Sequence, residues 1–136
     1  MDWDYLKAPS PRESMHSILL AHLERHEIDD PDRRSDPHFE IAAWLNLKNT
    51  AQLPAMLLLE YSDKESRHWQ IVDTARMHAM KCDILLSGAV DLNVKKIKTL
   101  DIYLCHPNQW ISCEIEELRI NGKLIKIQSL NKYNIG

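Results

Sequence analysis

At 136 residues, 44% of them hydrophobic and 27% charged, the chain reads as one domain, 1–136, able to bury a core without disulfide or metal staples. Three glycines are too few for a glycine-rich nucleotide loop or a low-complexity chain. A net charge of −3, with no apolar run near the roughly 20 residues of a membrane span, argues against a nucleic-acid binder and a membrane-spanning protein.

The charge is unevenly spread, net −5 over residues 1–40 and net +3 over residues 93–136. The basic part is mild, with Lys95, Lys96 and Lys98 near one turn, so neither nucleic acid nor a membrane is expected as a partner. Met1-Asp2-Trp3-Asp4 does not open a signal peptide. Cys82, Cys105 and Cys113 are an odd number without framework spacing, which reads as thiols in a reducing compartment, the cytoplasm.

Ser10-Pro11-Arg12-Glu13 has the form of a capping box with Pro at the first helical position. It predicts an N-terminal helix over about 11–27, with Met15, Ile18 and Leu19 on one arc and Leu23 at its edge. His22 and His26 fall within that apolar arc, where they are hydrogen-bonded against the sheet or lie at an interface. Residues 29–37, with two prolines and many charges, read as a loop.

A β domain follows over about 39–130. Ile41, Ala43, Leu45 and Leu47 alternate with Ala42, Trp44 and Asn46, a strand pattern. Ala55–Tyr61 is apolar on both faces and suits the middle of a sheet. Residues 62–82 are ambiguous. A second capping box at Ser62 and the helix formers of 74–81 allow a helix near 63–81, but no clean apolar face emerges. The preferred reading is a loop over 62–68 and a strand Trp69–Val72 returning against 55–61.

Val90, Leu92 and Val94 share one face of a further strand, as do Leu100, Ile102 and Leu104 of the next. Ile111, Cys113 and Ile115 alternate, but Leu118 and Ile120 have the other parity, which predicts a β-bulge at Glu116-Glu117. Asn121-Gly122 between alternating runs predicts a type I′ hairpin. The expected fold is therefore mainly β: an antiparallel β-sandwich or jelly-roll-like fold of six to seven strands with one N-terminal α-helix. The alternative is α+β with a second helix.

Catalytic constellations are sparse. His22 and His26, four apart on a helix, offer two nitrogens to a metal, but Leu23 stands where a zincin has its glutamate, and Glu24 projects away. Cys105-His106 pairs a thiol with an imidazole, yet adjacent strand residues face opposite sides. Pairing through space, Cys105 with His78 or Cys113 with His106, has no local support. Of Glu114, Glu116 and Glu117, the first two face the same way on a strand but read as a solvated face in preference to an acid–base pair, and the acids of Asp29–Asp36 lack the rhythm of a calcium loop. No cofactor and no metal is expected.

The aromatics point to binding. Trp69 follows Arg67-His68, and Trp110 follows His106-Pro107-Asn108-Gln109, both at loop-to-strand junctions. The expectation is a non-enzymatic domain that contacts a protein partner, of inhibitor, immunity or accessory type. Its contact surface is Trp110 with His106, Asn108 and Gln109, or the face bearing His22 and His26. A homo-oligomer follows if that histidine face is self-complementary. A carbohydrate-binding module using Trp69 and Trp110 is the alternative, and a metal- or cysteine-dependent hydrolase the third reading.

Overall fold

The computed structural model describes residues 9–28, 38–50, 53–64, 66–76, 81–92 and 97–127. The chain is mainly β. Its strands are β1 (His16–Glu24), β2 (His38–Lys48), β3 (Ala55–Ser62), β4 (Arg67–Ala75), β5 (Lys81–Asp91), β6 (Thr99–His106), β7 (Ser112–Ile120) and β8 (Lys123–Ile127). They form two four-stranded antiparallel sheets: β1-β6-β3-β4 (sheet one) and β5-β2-β7-β8 (sheet two).

A shared apolar core joins the sheets, and alternation supplies it. Phe39, Ile41, Ala43, Leu45 and Leu47 of β2 are all buried. From sheet one, Leu57, Leu59 and Tyr61 of β3 and Leu100, Ile102 and Leu104 of β6 enter the same cluster. β3 pairs with β6 on one side and β4 on the other, which accounts for its apolar run.

The bulge in β7 forms as its parity predicts. Trp44 lies opposite Glu117 and Leu45 opposite Ile115, so Glu116 is the extra residue and both Ile115 and Leu118 are buried. The β7–β8 turn has Asn121 at φ 52° and Gly122 at φ 81°, the positive angles of a type I′ turn.

Three expectations change. The N-terminal helix does not form: Pro11–Glu13 is a single 3₁₀ turn, residues 16–24 are β1, and only α1 (Arg25–Ile28) is helical there. Ser10 does cap, accepting from the Arg12 N–H, but the turn that it starts ends at Ser14. The helical spacing was imitated by a register shift in β1 between Leu19 and Ala21, which brings Ile18, Leu20, Ala21 and Leu23 to the core and leaves Leu19 51% exposed. Second, the strand expected at Trp69–Val72 does return against β3 but is longer, β4 spanning 67–75, so the loop does not reach His68 and the alternative helix does not form over those residues. Third, the strand assigned around Val90 lies mostly before it, ending at Asp91. The charged segment 29–37 and Val94 lie outside the described residues.

Side chains seal the seam where the edge strands β4 and β5 approach. Gln70 Nε2 donates to the Asp91 carbonyl at 2.8 Å, and Asp73 Oδ2 accepts from the Ser87 N–H at 2.9 Å. Occupied edge groups cannot template pairing with another chain. Gly88 permits this approach, because a Cβ there would sit 2.4 Å from the Val72 carbonyl oxygen. Gly88→Val is therefore expected to lower stability by about 1–3 kcal/mol in urea unfolding, through backbone displacement at the seam. An unchanged midpoint would contradict the close approach.

Candidate functional site

At one end of the sheets, two connections are bonded to each other through their described residues. Residues 107–111 carry the chain from β6 to β7, and residues 49–54 carry it from β2 to β3. Buried His106 anchors the pair. Its Nδ1 accepts from the Asn108 N–H at 2.9 Å, which leaves the ring proton on Nε2 to donate to the Leu53 carbonyl at 3.2 Å. Asn108 Nδ2 donates to the Asn49 carbonyl at 2.6 Å, and its Oδ1 accepts from the Trp110 N–H at 3.1 Å. Asn49, at φ 63°, returns a bond from its Nδ2 to the Trp110 carbonyl at 3.2 Å. Asparagine tolerates that left-handed backbone better than most residues.

The consequence is a held loop with a bare aromatic. Trp110 is 72% exposed and neighbouring Leu53 39%, although the backbone of residue 110 is bonded on both sides. His106, Asn108 and Trp110 thus come together as expected from their spacing, with exposed Gln109 between them. His106 contributes position only, since both ring nitrogens are taken.

Trp69 does not join them. It is half-buried in β4 opposite Glu60 of β3, five residues along from Ala55. At about 3.3 Å per residue that is roughly 16 Å from the Trp110 end, too far for one small ligand. Nor do His22 and His26 share a site: His22 is on β1, and His26 lies exposed in α1.

His22 instead belongs to a charged network on the outer face of sheet one. His22, Asp101, Glu60 and Trp69 form one row across β1, β6, β3 and β4. Glu60 and Asp101, side by side, are only 6% and 7% exposed. Arg67 Nη2 bridges them, 3.1 Å from Glu60 and 3.3 Å from Asp101. From the N-terminal turn, Ser10 Oγ donates to Glu60 at 2.8 Å and Arg12 Nη1 at 2.9 Å, with the Arg12 guanidinium 3.9 Å above the Tyr103 ring.

Burial opposes ionisation of Glu60, but the bonds from Ser10, Arg67 and Arg12 outweigh it and hold the carboxyl below the usual carboxylate range. His22 has Nε2 3.0 Å from Glu24, with Nδ1 hydrogen-bonded to Asp101. The bond to Glu24, followed by the bond to and charge of Asp101, raises its pKa above 6.5. Burial pushes the thiols of Cys105 and Cys113 up to about 11 and about 12, so both stay protonated at neutral pH. No disulfide joins the cysteines, and His78 lies outside the described residues. Among the described residues, no group of three or more His, Cys, Asp or Glu is placed to hold a metal.

Sequence reasoning did not find Glu60, Asp101, Arg12 and Arg67. One signal was available: Glu60 is the lone charge in a run apolar on both faces, and a charge there needs partners. No protein-family model, curated protein or solved structure matches the chain.

Because the folded pKa of His22 is raised, its contribution to stability is complete below about pH 6.5 and fades as pH rises through the folded value. NMR titration should place the His22 midpoint above 6.5, and His22→Gln should flatten stability against pH over that window. A midpoint at or below 6.5 would contradict the bridge.

Proposed function

We propose that the chain is a non-enzymatic interaction domain with a protein partner, of inhibitor, immunity or accessory type, and that the Trp110 end makes the contact. One observation carries this reading: an indole 72% exposed on a loop whose backbone is already fixed by Asn49 and Asn108. Exposing an indole to water costs free energy, and holding its loop rigid removes the entropy that a partner would otherwise have to freeze. Rigid, exposed tryptophans are common anchors of protein interfaces.

The rest of the chemistry supports binding over catalysis. His106 is occupied by its own loop, His22 by two carboxylates, and the two more buried thiols are protonated at neutral pH. The nested pairing β1–β6, β2–β5 and β3–β4 supports a jelly-roll-like sandwich with β7–β8 added as an extra hairpin, a rigid mount for such a loop. Thiols without disulfides suit the cytoplasm, where we place the protein.

Trp110→Ala is expected to leave the unfolding midpoint within about 0.5 kcal/mol of the parent, since little of the ring is buried. Affinity for a purified partner should fall about 30-fold or more, the mark of a hot-spot residue. Urea unfolding reads the first outcome and calorimetric titration the second. Undiminished affinity would overturn the site. Trp110-dependent binding to an oligosaccharide panel, without a protein partner, would replace this reading with glycan recognition.

A further inference from the structure

From the electrostatics of the Trp110 end we infer that its partner presents an acidic segment; this rests on the reading of that end as the contact site. Three cations gather there. Lys48 directly precedes Asn49, lies opposite Ser112 on β7, and faces Lys81 across the β2–β5 pair. Arg76 follows Ala75, which pairs with Ala55 at the start of β3. Lys48, Arg76 and Lys81 are all exposed, and none has a carboxylate partner among the described residues.

The described residues of the connecting segments, 48–50, 53–54, 75–76, 81 and 106–112, include no Asp or Glu. The nearest described acids on the adjoining strands are already engaged. Asp83 accepts from Asn46 Nδ2 at 2.6 Å, Asp73 from the Ser87 and Thr74 N–H groups, and Glu114, opposite Asn46 on β7, is engaged as well. Exposed Glu13, before β1, is the only acid of the described residues 9–23.

The Lys48–Lys81 pairing is the telling detail. Like charges directly opposite on neighbouring strands oppose folding, and neither lysine is ion-paired to an acid among the described residues. The repulsion is offset when a carboxylate-bearing segment lies across both ammonium groups. The indole and Leu53 would then receive the apolar residues of that segment. A lipid surface fits less well, because exposed polar Asn49, Gln109 and Ser112 share the two connections with Trp110 and Leu53, and seating them among acyl chains would strip their water. Against a peptide, the same groups can bond to backbone amides.

The test uses a displayed library of random peptides selected on the immobilised full chain at low salt. Selected peptides should be acidic with at least one apolar residue, should lose binding to Trp110→Ala, and should weaken as salt rises past about 0.1 M. Lys48→Glu is the decisive variant: it replaces a repulsive pair with an attractive one, so the midpoint of unfolding should hold or rise. Affinity for the selected peptides should nevertheless fall about tenfold. Peptides that need Trp110 but show no acidic bias, or unchanged affinity in Lys48→Glu, would overturn this inference and leave the contact site standing. Enrichment independent of Trp110 would overturn both. Salt-sensitive binding to phosphatidylserine vesicles, with no peptide selected, would assign the surface to lipid instead.

Discussion

Two carboxylates side by side under cover are the constraint around which sheet one is built. Glu60 and Asp101 face each other on its two inner strands, nearly out of contact with water. Unpaired, they would repel and would each have lost hydration, a cost far beyond what a domain of this size can absorb. They are satisfied from three directions: Arg67 of edge strand β4, His22 of edge strand β1, and Ser10 and Arg12 of the turn before β1. One pair of acids thus ties both edges of the sheet and the chain leading into it to the centre.

That arrangement limits where function can reside. The outer face of sheet one carries many charged groups, and six of them, Glu60, Asp101, Arg12, Arg67, His22 and Glu24, are engaged with one another. The seam between β4 and β5 is closed by Gln70 and Asp73. The polar groups of the Trp110 end also serve the fold, yet they leave the indole bare. The contrast is physical: the buried polar groups of sheet one are bonded to one another, while the most exposed large apolar side chain, Trp110, and three cations without a described ion-pair partner stand at one end.

Much of the β architecture was legible because its signals are local. Asn121-Gly122 needs only its own backbone angles, and the bulge at Glu116 shows in the parity change between Ile115 and Leu118. The same device misled at β1, where the shift near Leu20 spaces its core residues in a way that imitates a helix turn. Parity there could be read only once the partner strand β6, some 80 positions away, was known. Of the site, the grouping of His106, Asn108 and Trp110 was legible because the three lie in one loop. The network was not, since Ser10, Arg12 and Asp101 are distant in sequence from the groups that they bind. Likewise, the opposition of Lys48 and Lys81 exists only through strand register.

The most direct test of the claim that the buried acids brace the fold is a double-mutant cycle between Arg12 and Glu60, read by denaturant unfolding of the parent, Arg12→Ala, Glu60→Gln and the double variant. With their atoms 2.9 Å apart and Glu60 buried, the two changes should couple by about 1 kcal/mol or more. Effects that add within about 0.3–0.5 kcal/mol would mean that the N-terminal turn rests on sheet one without bracing it, and would contradict that claim.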